Sequence, residues 1–188
     1  MSDATVAGRA ILVLNAGSSS IKFCVFRLAG GAAARDLRGQ VSGLGTAPKL
    51  AVYRGANALV ETALPDRLDH RQALEHILEA LHAQLGTVQI VGVGHRVVHG
   101  GLEFMAPTHV DATVLARLER YVPLAPLHQP HNLSVIRVML ERMPGVPEIA
   151  CFDTAFHRSV PEVAQLFALP PRFAAAGVRR YGFHGLSY

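Results

Sequence analysis

The stretch AILVLNAGSSSIKFCVFRL, residues 10–28, decides the fold. It holds two apolar runs, residues 10–15 and 22–28, separated by the small residues AGSSS. Short runs rich in Val, Ile and Phe are typical of β-strands, and Gly and Ser between them predict a tight turn. The sheet is therefore expected to contain two neighbouring strands joined by this turn.

The turn is also a candidate anion-binding site. In NAGSSSIK, residues 15–22, backbone N–H groups and serine hydroxyls could face an anion, and Lys22 adds a positive charge nearby. The pattern GxxxxGK[ST] does not occur, so this is not a P-loop. An ordinary hairpin turn with solvated serines fits the same residues, so the turn alone leaves both interpretations open.

Further strands are expected on both sides of a helical region. Residues 36–44 and 49–54 are candidate strands, and VQIVGVG at 88–94 is apolar on both faces, as in a buried strand. Residues 147–152 have the same character. Residues 161–188 contain three prolines and are expected to be irregular.

Three helices are predicted from their start signals. Asp69 with Gln72 resembles a capping box, and Asp111 is placed to open a second helix. Pro130 suits the first position of a third helix, which Gly145 is expected to close. Strands that alternate with helices in this order predict an α/β domain with a mixed sheet.

Composition narrows the class of protein. The chain has 188 residues, of which 50% are hydrophobic and 17% charged, so it can bury the core of about one domain. No apolar run is long enough for a transmembrane helix, and the start does not resemble a signal peptide. The net charge of +4 is spread along the chain, which favours a small anionic substrate over nucleic acid. Cys24 and Cys151 look like reduced core residues, so a cytoplasmic location is expected.

The segment GHRVVHGG, residues 94–101, follows a predicted buried strand directly. Ligands bind near the carboxyl ends of strands in open α/β sheets, and Arg96 there could clamp a carboxylate or phosphate. A structural salt bridge is the equally good alternative for Arg96. His95 and His99 are four residues apart, but the helical HExxH pattern of zinc sites does not occur, so a metal is not favoured here.

Three other segments carry polar groups at element ends. In APLHQPHNL, residues 125–133, His131 and Asn132 are expected to serve a helix-entry or capping role. In FDTAFH, residues 152–157, Asp153 ends a buried strand, which is costly unless it binds Mg²⁺, acts as a base or forms an ion pair. In RRYGFHG, residues 179–185, a glycine-flanked Phe–His pair could line a pocket or simply form a turn.

These five segments, taken together and in this order, closely resemble those of the acetate kinases, the acetokinase family within the sugar kinase, Hsp70 and actin superfamily. The resemblance covers residues 10–188 and implies a ribonuclease H-like α/β domain, a mixed central sheet flanked by helices. Members of the family continue into a second domain, so residues 1–188 are expected to be an N-terminal domain whose partner domain is missing. The chain also departs from the family pattern at Gln129, where Asn is usual, and at Leu186–Tyr188.

The resemblance implies reversible, Mg²⁺- or Mn²⁺-dependent transfer of a phosphoryl group from ATP to acetate, giving acetyl phosphate and ADP. It also implies four sets of site residues. ATP phosphates would be bound by Asn15, Ser18, Ser20 and Lys22. The metal would be held by Asn15 and Asp153. Arg96, Asp153 and His184 would be catalytic, and acetate would be bound by Arg96, Val98, Leu127 and Phe183. His128 and His157 would support them, and the family implies a homodimer.

Other functions stay open at this point. Propionate kinases resemble the family and tend to have a smaller residue at the position of Val98, which favours acetate here. A non-catalytic fragment that binds a partner, or self-associates through uncovered apolar surface, is a second alternative. The third is a metal hydrolase that uses histidine ligands from the set His95, His99, His128 and His131.

Overall fold

The computed structural model describes residues 8–188 and contains one eight-stranded mixed sheet, with strand order β5-β4-β3-β2-β1-β6-β8-β7. The strands are β1 Arg9–Ala16, β2 Ser20–Ala29, β3 Ala32–Ser42, β4 Lys49–Arg54, β5 Asn57–Ala63, β6 Gln89–Val97, β7 Thr108–His109 and β8 Glu148–Phe152. Strands β1 to β5 form an antiparallel meander, whereas β6 pairs parallel with both β1 and β8. The predicted α/β domain with a mixed sheet is confirmed.

Within residues 8–188, five α-helices and three 3₁₀ turns accompany the sheet. The helices are α1 His70–Leu85, α2 Ala112–Glu119, α3 Gln129–Arg142, α4 Glu162–Gln165 and α5 Pro171–Ala175. The 3₁₀ turns are Val122–Leu124, Asp153–Ser159 and Gly185–Ser187. None of the helices in residues 8–188 is long and apolar enough to cross a membrane.

The predicted helix starts are confirmed at α1 and α2. The Asp69 carboxylate accepts from the Gln72 N–H at 2.8 Å and the Gln72 side chain accepts from the Asp69 N–H at 3.0 Å, which is a complete capping box. Asp111 caps α2 through the Val114 N–H at 2.7 Å. Each of these carboxylates pairs with one backbone N–H of the first helical turn, which would otherwise have no partner within the helix.

Several predicted boundaries are corrected. Helix α3 starts one residue before Pro130 and ends at Arg142, so Gly145 lies in the loop beyond it. Strand β5 was not predicted, since it is an edge strand with no fully buried residue and therefore has no clear alternation. The expectation that residues 161–188 are irregular was wrong in part, because α4 and α5 form there.

The core lies between the sheet and helices α1, α2 and α3. In β1 the even-numbered residues are buried, with Leu12 and Leu14 at most 1% exposed, and they pack with α1 and α3. The other face is less covered: Val13 is 37% exposed. The prediction that residues 88–94 are buried on both faces holds on one face only, since Gly92 and Gly94 bring no side chains to the other.

This one-sided burial predicts unequal effects of neighbouring substitutions in β1. Leu12→Ala is expected to lower the free energy of unfolding by about 2–5 kcal/mol, since it removes methylenes and leaves a cavity. Val13→Ala is the matched control and is expected to cost less than about 1 kcal/mol. Urea denaturation followed by circular dichroism measures both, and equal losses would contradict the one-sided core.

Candidate active site

A cleft of about 620 Å³ opens at the carboxyl ends of β1, β6 and β8. Parallel strands bring their ends to one edge of the sheet, which is where ligands bind in open α/β folds. The lining residues come from four loops and the ends of two strands: Gly17, Ser18, Ser19, Ser20, Arg96, Val98, Leu124, Ala125, Pro126, Leu127, His128, Asp153, Phe183 and His184. The structure thus brings segments of all five sequence motifs together.

The alternation of side chains along the strands selects which groups reach the cleft. Leu14 and His95 are register partners in β1 and β6, and both are buried on the core face. Their successors, Asn15 and Arg96, therefore emerge on the opposite, less covered face. A single-residue shift in either strand would exchange the polar group for an apolar or core residue.

Arg96 and Asp153 form the polar centre of the cleft. Arg96 Nε donates to the two Asp153 carboxylate oxygens at 3.2 and 3.1 Å, and Nη2 donates to Oδ2 at 2.5 Å. The Asp153 residue is 1% exposed, so the guanidinium supplies the charge compensation that a buried carboxylate requires. Arg96 Nη1 also donates to the Asn15 amide oxygen at 3.3 Å, which joins β1 to the pair.

The turn between β1 and β2, residues 17–20, closes on itself. The Gly17 N–H donates to the Ser20 carbonyl at 2.8 Å, and His70 Nε2 donates to the Gly17 carbonyl at 2.6 Å. Ser18 is exposed and Ser20 half-buried at the cleft. Lys22 lies opposite Asn15 in the β1–β2 register and is exposed, but it is not part of the cleft lining.

An apolar wall stands beside the polar centre. Val98 is 4% exposed, whereas Leu127 is 73% and Phe183 is 43% exposed. Val98 therefore forms the floor of this wall. Leu127 and Phe183 form its rim, which is open to water in the structure of residues 8–188. A wall of this kind suits a small alkyl group next to an anion.

The loop 182–185 is packed too tightly for any residue but glycine at two positions. A Cβ on Gly182 would lie 2.1 Å from the His157 ring, and a Cβ on Gly185 would lie 2.1 Å from the Asp153 carbonyl oxygen. His157 Nε2 donates to the Phe183 carbonyl at 2.9 Å. These contacts place His184, in a left-handed conformation with φ 58°, at the rim of the cleft.

The first turn of α3 holds two residues whose role was not recognised from the sequence. Asn132 accepts from the Val98 N–H at 2.9 Å and donates to the Ala16 carbonyl at 2.6 Å. Gln129 accepts from the His99 N–H at 3.1 Å and donates to the His99 carbonyl at 2.9 Å. The expected capping role of Asn132 was therefore wrong, because its amide is used by two loops. In the sequence, amides at i and i+3 on the apolar side of the predicted helix indicate at most that they are buried, not which groups they contact.

The histidines do not assemble into a metal site. His95 bonds to the buried Glu148 at 2.9 Å, His99 Nδ1 accepts from the Gly101 N–H at 2.9 Å, and His131 stacks on His70. Burial lowers the pKa of His99, which favours its neutral form. Within positions 8–188, no group of three or more His, Cys, Asp or Glu residues is placed to hold a metal ion.

The sequence is similar to those of known proteins over most of its length. The family model described as "Acetokinase family" matches residues 10–188. The acetate kinases of Nitrobacter hamburgensis and Rhizobium meliloti are 47% and 48% identical over 185 residues, which is 95% of this chain but only 45% and 46% of theirs. The chain thus spans about half the length of the curated relatives that it matches.

Solved structures of similar proteins share the fold. A propionate kinase from Francisella tularensis superposes with a TM-score of 0.82 at 31% identity, covering 95% of this chain and 46% of that one. The acetate kinase of Porphyromonas gingivalis gives a TM-score of 0.81 at 36% identity over the same shares. These solved relatives place the fold in the actin-like superfamily. Because the family model matches almost the whole sequence, the chain belongs to the acetokinase family.

Proposed function

We propose that this chain forms one half of an acetate kinase active site, where a phosphoryl group passes reversibly from ATP to acetate, giving acetyl phosphate and ADP. The observation that carries the proposal is the Arg96–Asp153 pair, whose carboxylate is buried. It lies between the turn at residues 17–20, which we propose as the phosphate turn, and the Val98 floor. A cation-bearing polar centre beside a small apolar wall suits a carboxylate that carries one methyl group. The naming of the relatives as acetate kinases supports the same reaction.

Arg96 is proposed to hold the acetate carboxylate or the phosphoryl group in transfer. Its guanidinium has five N–H donors, and those not used by Asp153 and Asn15 stay available to an anion. Acetate is already ionised at neutral pH, so the reaction needs no general base. Catalysis then rests on positioning and on neutralising charge, as in phosphoryl transfer generally.

A divalent cation fits the donor set. Asp153 and Asn15 offer a carboxylate and an amide oxygen, which are the hard ligands that Mg²⁺ or Mn²⁺ prefers, and Mg²⁺ commonly takes one or two carboxylates plus substrate phosphates. The Asp153 carboxylate accepts from Arg96 but has further lone pairs. When bound, the ion would offset negative charge on the phosphates.

The remaining groups are proposed to surround the phosphates. Ser18, Ser20 and the backbone of the phosphate turn face the cleft and would bind ATP, with Lys22 adding charge from the neighbouring strand. His184 stands across the cleft and would donate to the equatorial oxygens of the transferring group. The Gly182 and Gly185 contacts hold the backbone of its loop in place.

Propionate is the second candidate acceptor, since a relative named propionate kinase shares the fold. The choice depends on the space beside Val98, which is buried and cannot swing away. One methylene in an apolar pocket is worth roughly 1–3 kcal/mol of discrimination. The isopropyl side chain of Val98 leaves less room than a smaller residue would, which favours acetate.

The first prediction concerns the polar centre. In a hybrid that joins residues 1–188 to the remaining part of the Nitrobacter hamburgensis relative, Arg96→Ala and Asp153→Asn should each lower kcat at least ~100-fold, because a charged transition-state contact is lost. Arg71→Ala breaks an exposed Arg–Glu pair on α1 and α3 and should leave kcat unchanged. Near-normal turnover of either site variant would refute its role.

The second prediction concerns the acceptor. Val98→Ala in the same hybrid should raise the ratio of kcat/KM for propionate to that for acetate by about tenfold, since a methylene gains space. Val52→Ala, a buried change in β4 away from the cleft, serves as the control. If the ratio is the same for both variants, Val98 does not shape the acceptor pocket.

The third prediction concerns residues 1–188 tested alone. Because Leu127 and Phe183 leave the cleft open to water, this polypeptide should turn over at least ~100-fold more slowly than the hybrid, through loss of orientation and desolvation. A hydroxamate-coupled assay with ATP, Mg²⁺ and acetate measures both. Turnover within tenfold of the hybrid would show that these residues suffice.

A further inference from the structure

Asn132 joins the two loops that hold the proposed reactants. Its Oδ1 accepts from the Val98 N–H of the acceptor loop, residues 97–100, at 2.9 Å. Its Nδ2 donates to the carbonyl of Ala16, next to the phosphate turn, at 2.6 Å. The residue is 2% exposed, so both bonds are shielded from competing water.

The Asn132 bridge lies just beyond the point where strands β1 and β6 stop pairing. Register pairing between β1 and β6 ends at Leu14 and His95. Ala16 lies two residues and Val98 three residues beyond that point, where hydrogen bonds between β1 and β6 no longer fix the separation of the two segments. The Asn132 amide spans the gap that the ladder leaves.

The helix that carries Asn132 makes the bridge rigid. Leu133 and Ile136, on the same helix, are at most 2% exposed and pack with β6 and β8, so α3 cannot shift easily against the sheet. Side chains placed by packed helices hold a site more accurately than side chains on loops. Gln129 holds the acceptor loop through His99, and the hydrogen bonds of its side chain within residues 8–188 do not include the phosphate turn.

We propose that Asn132 is a positioning residue that sets the distance between the phosphate turn and the acceptor loop, and hence the distance between phosphoryl donor and carboxylate acceptor. This inference rests on the function proposed above. Only an amide of this length both accepts from Val98 and donates to Ala16. A displacement of about 1 Å between reacting groups can cost ~100-fold in rate, so the expected defect lies in kcat and not in binding.

The kinetic test uses the hybrid enzyme and the variant Asn132→Asp, which has the same shape and keeps the acceptor but replaces the donor to Ala16 by an oxygen. We expect kcat to fall ~100-fold, while KM for ATP and for acetate stays within about threefold. Val52→Ala is the control for a purely structural loss and should keep kcat when rates are normalised to folded protein. If kcat of Asn132→Asp also equals that of the unchanged hybrid once rates are normalised to folded protein, the proposal is overturned.

A second measurement needs no activity. Amide hydrogen exchange by NMR on the 188-residue chain should show Val98 N–H exchanging at least about tenfold faster in Asn132→Ala, but not in Asn132→Asp, which keeps that bond. Unchanged exchange in Asn132→Ala would mean that the bridge does not form, and would overturn the proposal.

The two proposals fail in different ways. An enzyme that loses turnover on Arg96→Ala but keeps it on Asn132→Asp retains the proposed function and refutes the positioning role. An enzyme in which Arg96→Ala is harmless refutes the proposed function, and with it the claim that Asn132 sets a donor–acceptor distance.

Discussion

A carboxylate that is almost wholly removed from water at the end of β8 constrains everything around it. Asp153 is stable there because Arg96, from the neighbouring parallel strand, donates to both of its oxygens. Breaking a buried pair of this kind by removing one partner costs about 3–5 kcal/mol. The same ion pair therefore joins the ends of β6 and β8 and places the Arg96 guanidinium at the cleft, where it can contact a small anion. The fold and the site thus depend on one contact.

The same two strands carry a second polar pair on the core face. His95 bonds to Glu148, and both are at most 3% exposed. Consecutive residues in β6, His95 and Arg96, thus reach carboxylates on opposite sides of the sheet. Polar groups buried on both faces restrict the register of β6 against β8, because a slip by one residue would leave charges unpaired.

Local patterns predicted most of the fold. The apolar runs of β1 and β2 and the caps at Asp69 and Asp111 depend on neighbouring residues, and sequence reports such features directly. Strand β5 could not be found in this way, since it sits at the sheet edge and buries too little to show alternation. The ends of predicted strands indicated Arg96 and Asp153 as candidate binding groups but left structural alternatives open, and only the family resemblance assigned a role to each segment.

Long-range bonds explain what was missed at the site. Asn132 was read as a cap because its partners, Ala16 and Val98, are 116 and 34 residues away and have no trace in the local pattern. Gln129, a departure from the family's usual Asn, proves to hold the backbone of His99. Contacts between a side chain and a distant backbone leave no sequence signature, because the backbone partner can belong to any residue.

The contact of Gly185 with the Asp153 carbonyl has a consequence for motion. With no space for even one carbon between them, the loop that carries His184 cannot slide over the end of β8. A hinge needs residues that absorb large backbone rotations, and this loop is instead locked by close packing. Any movement of residue 185 relative to the end of β8 would therefore have to open this contact first, so the backbone next to Gly185, including that of His184, is coupled to the backbone of Asp153.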